Sequence, residues 1–208
     1  MILAIPTALG ILLAALSGGR VSRLGRVIPI RYLAIIAAGF LLQLLAMTWA
    51  ADGTVDSLGY RIILMGGFVV TVLGFAGLRR LPFMFVPFIG LGLNLAVMAA
   101  NGGTMVLTPE AAAADGFRIV APRGEARLWG GKDVLRPWSQ TPLPFLSDWL
   151  TIRIGAGYVR ILSPGDVILA IGVGAVAFAT VKTGAYEAPA ETSEVITRQV
   201  HLARASDG

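Results

Sequence analysis

The chain has no cysteine and a single histidine, His201, close to its C-terminal end. Disulfides, thiolate metal sites and cysteine nucleophiles are therefore excluded, and one histidine cannot build a His-rich metal or haem site alone. Charge is also scarce. Only 14% of the 208 residues are charged, whereas 56% are hydrophobic, and a soluble domain carries roughly a quarter charged residues. Nucleotide and hydrolase signatures are missing too: there is no Gly-x-Gly-x-x-Gly after a strand, no Walker pattern and no Gly-x-Ser-x-Gly. The apolar runs contain no chain of acids and bases, which argues against a proton-coupled pump. Neither a cofactor nor a metal is expected.

What is present is hydrophobicity in long blocks. Mean hydropathy is +0.77 and the net charge is +5. The basic residues flank apolar runs, so topology explains them better than nucleic-acid binding does. Five spans are expected: 2–17, 32–50, 61–78, 82–101 and 166–181. The first lacks the basic start of a secretory signal and reads as a retained helix. Arg20, Arg23, Arg26 and Arg31 crowd the loop that follows it, and Arg79 and Arg80 close the third span. Counted over short loops, this bias places the N-terminus outside and the C-terminus in the cytoplasm of a plasma (inner) membrane. Pro82 suits a first helical turn, and Pro87, deeper in, predicts a kink.

The chain thus divides into a four-helix membrane region (1–100), an extracytoplasmic cap (101–163), a fifth span (164–184) and a loose cytoplasmic tail (185–208). The expected fold is an all-α membrane bundle of five transmembrane helices with a small α/β cap between the fourth and fifth. Within the cap, Thr108-Pro109-Glu110 and four alanines before Asp115-Gly116 spell a short helix. Residues 117–128 suggest two short strands, and 150–154 with 158–162 a hairpin around Gly155-Ala156-Gly157. Trp129, Trp138 and Trp149 suggest a cap resting on the membrane surface. There is no internal repeat.

Few polar residues lie near the membrane core. Asn94 and Asn101 are seven apart and share a helix face, with Gly90 one turn before Asn94. They could line an outward pocket together with Trp149 for a lipid or quinone-like ligand. The plainer reading makes Asn94 an interhelical hydrogen bond and Asn101 a C-cap ahead of Gly102 and Gly103 in positive-φ conformations. Gln43, midway along the second span, reads the same way. Ser163-Pro164-Gly165-Asp166 is a helix start: serine cap, N1 proline, and an acid that reaches back to the cap. Asp148 and Asp166 both belong to the outer boundary, where two adjacent carboxylates could share a proton and activate water.

Taken together, Gly92-Leu93-Asn94-Leu95, Ala100-Asn101-Gly102-Gly103-Thr104-Met105, Phe145-Leu146-Ser147-Asp148 and Ser163-Pro164-Gly165-Asp166-Val167 resemble an uncharacterised bacterial family of small multi-span membrane proteins. The resemblance covers nearly the whole chain except the tail. It implies a bacterial membrane protein and supplies no activity. Asn101-Gly102-Gly103 and Asp166 are also similar to parts of the lipoprotein signal peptidases, aspartic membrane enzymes with an Asn-x-Gly motif at the outer boundary. That resemblance would make Asp148 and Asp166 a catalytic pair. However, those enzymes have four spans, and their Gly-Asn-x-x-Asp-Arg motif is absent here. The functional expectation is a non-enzymatic accessory subunit that packs against membrane lipid or other membrane proteins. A membrane-embedded aspartic hydrolase and a lipid or quinone binder are the alternatives.

Overall fold

The computed structural model describes residues 3–51, 58–113, 119–120, 127–128, 133–154 and 158–183. It is mostly helical, with α1 Ala4–Leu16, α2 Arg23–Val27, α3 Ile30–Ala51, α4 Leu58–Gly77, α5 Phe85–Ala100, α6 Pro109–Ala113 and α7 Pro164–Thr183. Three of these (α3, α4 and α7) are long and apolar enough to cross a membrane, whereas α1 and α5 are shorter apolar helices of 13 and 16 residues. The fourth predicted span begins later than its sequence suggests. Residues 82–84 form turns in which Phe83 has a φ of 61°, so the helix starts at Phe85 and Pro82 lies outside it. The short α2 was not expected from the sequence.

The helices pack in two groups. α3 and α4 form an antiparallel hairpin, while α7 lies along both α1 and α5. In each case glycine makes the approach possible. A Cβ built on Gly67 would lie 2.8 Å from the Gly39 carbonyl oxygen, and one on Gly74 would lie 2.9 Å from the Ile36 nitrogen. Gln43 donates across this hairpin to the Thr71 hydroxyl at 3.2 Å, as expected for an amide that joins two helices. On the other side, a Cβ on Gly90 would lie 2.5 Å from the Leu169 nitrogen and 2.6 Å from the Gly165 carbonyl. One on Gly172 would lie 2.5 Å from the Pro87 nitrogen, and one on Gly10 would run into the Gly174 carbonyl. Backbone meets backbone at all of these crossings. A seam of buried side chains, including Phe75, Leu81, Met84, Leu91 and Leu169 towards one end and Tyr60, Leu64, Val97 and Met98 towards the other, joins the two groups.

The segment between α5 and α7 carries the β-structure. β1 Met105–Leu107, β2 Ile119–Val120, β3 Arg127–Leu128 and β4 Asp133–Leu135 form a sheet of order β1-β4-β3-β2, with β1 parallel to β4. β5 Leu150–Ile154 and β6 Tyr158–Leu162 form the expected antiparallel hairpin, Leu150 opposite Leu162. β2 and β3 fall within the stretch where two strands were expected. β1 and β4 were not expected, because three-residue strands have too few positions to show alternation. β1 is fully buried and has a partner on each side: β4 on one, and on the other Asp148, whose N–H donates to the Val106 carbonyl at 3.0 Å. Thr108 caps α6 by accepting from the Ala111 N–H, whereas the closing Gly116 and the interfacial Trp129 lie outside the described residues.

The glycine contacts yield a direct expectation. Gly90→Ala should destabilise the detergent-solubilised protein by about 1–3 kcal/mol, because the only atoms that could move aside belong to the α7 backbone. Gly92→Ala is the control: its Cβ would meet nothing within 4 Å, so the thermal midpoint should stay or rise slightly. Equal midpoints for the two variants would contradict the packing.

Candidate functional site

The α5–α7 crossing holds a polar cluster built from three residues, two of them buried and Asp166 half-buried. α7 begins with Ser163 as N-cap, and the Asp166 N–H donates to its hydroxyl oxygen at 2.9 Å. In return the Ser163 N–H donates to Asp166 Oδ2 at 3.3 Å, which completes the reciprocal capping box that the Ser-Pro-Gly-Asp spacing predicts. The third member comes from α5. Asn94 donates from Nδ2 to Asp166 Oδ1 at 2.7 Å and accepts the Ser163 hydroxyl proton on Oδ1 at 2.8 Å. Asn94 and Ser163 are buried at 1% and 0% exposure. The amide can enter only because Gly165 has no side chain: a Cβ there would overlap Asn94 Oδ1. Asp166 also sits in the first turn of α7, where the helix dipole favours negative charge.

A second cluster closes the far end of α5. Asn101 occupies the C-cap position, and its Nδ2 donates to the Val97 carbonyl at 2.8 Å and to the Pro142 carbonyl at 2.9 Å. Its Oδ1 accepts from Arg136 Nη1 at 3.2 Å. Gly102 and Gly103 follow with φ of 70° and 88°, and the Gly103 N–H returns to the Met98 carbonyl at 2.7 Å, so the chain leaves the helix through the left-handed conformations expected. Arg61 of α4 lies against both glycines.

The remaining candidates lie in the insert. Asp148 is buried at 3% and bridged through its backbone to β1. Trp149 is partly exposed. Its indole N–H donates to the Phe145 carbonyl at 3.1 Å, and its ring stands edge-on to Trp138, with centroids 6.2 Å apart. Thus Asn94 is joined to Asp166, and Asn101 to the loop that leads to Asp148, while the two carboxylates sit on different supports, one in a helix cap and one beside a strand. Among the described residues, no group of three or more His, Asp or Glu is placed to hold a metal. Sequence reasoning did not pair Asn94 with Ser163, nor Asn101 with Pro142 and Arg136. Gly90 one turn before Asn94, and Gly165 next to Ser163, were the available signals, since paired small residues mark a close crossing.

A mostly helical chain with three helices long and apolar enough to cross a membrane fits the class of membrane proteins. The family described as "Family of unknown function (DUF5317)" matches residues 27–178, and the chain belongs to it. No curated protein and no solved structure matches. The matched region contains both asparagine clusters and Asp148, but not α1, which packs on α7.

Asn94→Leu is expected to destabilise the protein more than Asp166→Asn. The first strands a buried serine hydroxyl and a carboxylate oxygen, at about 1–3 kcal/mol for each lost partner. The second keeps one of the two acceptor positions of Asp166 and should cost about 1 kcal/mol. Thermal unfolding in one detergent would rank them, and the reverse order would contradict the cluster as described.

Proposed function

We propose that this protein is a five-span integral membrane protein that serves as a non-enzymatic accessory subunit, packing against lipid or other membrane proteins. The reading rests chiefly on the Asn94–Ser163–Asp166 cluster, in which Asn94 bonds both other side chains while the Ser163 and Asp166 side chains each bond the other's backbone N–H at the start of α7. A carboxylate that accepts bonds on both oxygens is suited to holding a helix start rather than to activating water. The lateral faces support the same reading. Large apolar side chains such as Leu12, Leu41, Leu44, Leu73, Ile89 and Ile171 point outward from α1, α3, α4, α5 and α7, as they would towards lipid tails or partner helices.

In this reading α1 and α5 cross the bilayer beside the three longer helices. Their lengths of 13 and 16 residues correspond to about 20 and 24 Å, short of a core roughly 30 Å thick. The turns on either side would lie within the interface or the bilayer would thin locally. The segment from 101 to 163 forms the extracytoplasmic cap, its tryptophans at the interface, and the N-terminus is outside a bacterial plasma membrane with the C-terminus in the cytoplasm.

The absence of cysteine makes this topology simple to test. In intact cells, Ser139→Cys should react with a membrane-impermeant maleimide, while Ser22→Cys should react only after permeabilisation; the opposite pattern inverts the topology. The accessory role is tested by gentle extraction from native membranes and intact-complex mass spectrometry. Stoichiometric membrane-protein partners are expected. A chain that emerges alone, and whose Asp148→Asn and Asp166→Asn variants both lose a hydrolytic activity while remaining folded, would replace this reading with the aspartic hydrolase.

A further inference from the structure

We propose that the basic end of the helical bundle carries a binding site for anionic phospholipid headgroups, formed by Arg31, Arg79 and Arg80 with Phe83 beside them; this rests on the membrane reading above. The helix pairings bring the ends of α1, α4 and α7 and the starts of α3 and α5 to one end of the bundle. The cations there have unequal duties. Arg23 donates to the Val181 and Lys182 carbonyls at the end of α7, and Lys182 donates to the Ser17 carbonyl at the end of α1. These two are occupied as helix caps.

Arg31, Arg79 and Arg80 are exposed and pair with no carboxylate among the described residues; Arg79 reaches only the Ala76 carbonyl, at 3.5 Å. The described carboxylates, Glu110, Asp133, Asp148 and Asp166, belong to the insert or to the first turn of α7, at the other end. Arg31 is also held in place. Its guanidinium carbon lies 4.8 Å from the centroid of the Tyr32 ring, and Nη2 reaches the Tyr32 hydroxyl at 3.4 Å. The Tyr32 ring in turn lies directly against Gly77, in the last turn of α4, just ahead of Arg79 and Arg80. A tyrosine seated on a glycine thus holds Arg31 at the same end of the α3–α4 pair as Arg79 and Arg80.

Phe83 adds an independent observation. It adopts a φ of 61°, a conformation that is unfavourable for a non-glycine residue, and its side chain is 52% exposed while Leu81 and Met84 on either side are buried. An exposed aromatic ring in the turn that follows Arg79 and Arg80 suits a phospholipid, in which acyl chains accompany an anionic phosphate.

The test uses the full-length chain in vesicles of equimolar phosphatidylglycerol and phosphatidylcholine, followed by mild extraction and native mass spectrometry of retained lipid. Wild type should retain phosphatidylglycerol over phosphatidylcholine at least fivefold. The Arg31→Gln, Arg79→Gln, Arg80→Gln triple variant should lose that preference, while the Arg123→Gln, Lys132→Gln variant, which removes cations from the insert, should keep it. Phe83→Gly separates binding from folding: glycine suits the left-handed conformation, so the thermal midpoint should hold or rise while phosphatidylglycerol retention falls. No preference in wild type, or one that survives the triple variant, overturns the site, including the case in which an acidic protein or Glu187, Glu191 and Glu194 of the tail occupy it instead. A chain that fails to enter pure phosphatidylcholine vesicles and is stripped from them by alkaline carbonate overturns the membrane reading itself, and the lipid site with it.

Discussion

The contact on which the rest depends is the close approach of α7 to α5 and α1. In a lipid environment, side-chain burial offers little net drive for helices to associate, because acyl chains solvate leucine as well as another helix does. Dispersion between closely fitted backbones and hydrogen bonds between helices must supply the association. Gly90, Gly165, Gly172, Gly10 and Gly174 provide the fit, each at a point where a methyl group would enter the neighbouring chain. The polar cluster follows from it. Asn94 can reach Ser163 and Asp166 only across a crossing this tight, and the amide lies where Gly165 would otherwise carry a side chain. Glycine contact, amide clamp and the start of α7 therefore form one sequence of causes.

The same logic extends outward from α5. Asn101 ends that helix and binds the Pro142 carbonyl, so the point where the chain leaves the helix is tied to a loop some forty residues later. That loop includes Leu143, which carries a φ of 52° immediately before a proline. β1 starts two residues beyond Gly103 and is gripped on both sides, by β4 and by the Asp148 bridge. An insert whose first strand is fully buried is anchored at its root. The opposite end of the bundle is closed by charge instead, with Arg23 and Lys182 on the last carbonyls of α7 and α1. Cations there satisfy acceptors that no further helical turn provides.

Much of this was legible in the sequence, for identifiable reasons. Helix positions were read from hydrophobic runs, and the Ser163–Asp166 box and the Gly102–Gly103 exit from residue types that serve a local backbone need. The structure carries both motifs as expected. The β5–β6 hairpin was visible because five-residue strands leave room for a pattern. What could not be read was pairing across long separations. Nothing in a linear chain says that Asn94 meets Ser163 rather than lipid or water, or that Pro142 presents its carbonyl to Asn101. The boundary at Phe85 was missed because Pro82 suits a first helical turn on its own; the positive φ at Phe83 arises from the burial of Leu81 and Met84, a tertiary demand that local propensity does not contain.

The arrangement of polar groups also bears on where activity could reside. A shared-proton carboxylate pair requires two acids whose free oxygens face each other. Asp166 uses one oxygen for Asn94 and the other for the Ser163 N–H, and both partners are themselves fixed by the glycine crossing. Freeing an oxygen for catalysis would leave a buried amide or a helix N-terminus unsatisfied, a cost comparable to that of the bond itself. Asp148 is held through its backbone to β1, which is fully buried. Side chains placed in this way fasten the insert to the ends of α5 and α7, and they leave open the outward apolar flanks of the helices and the arginines at the basic end.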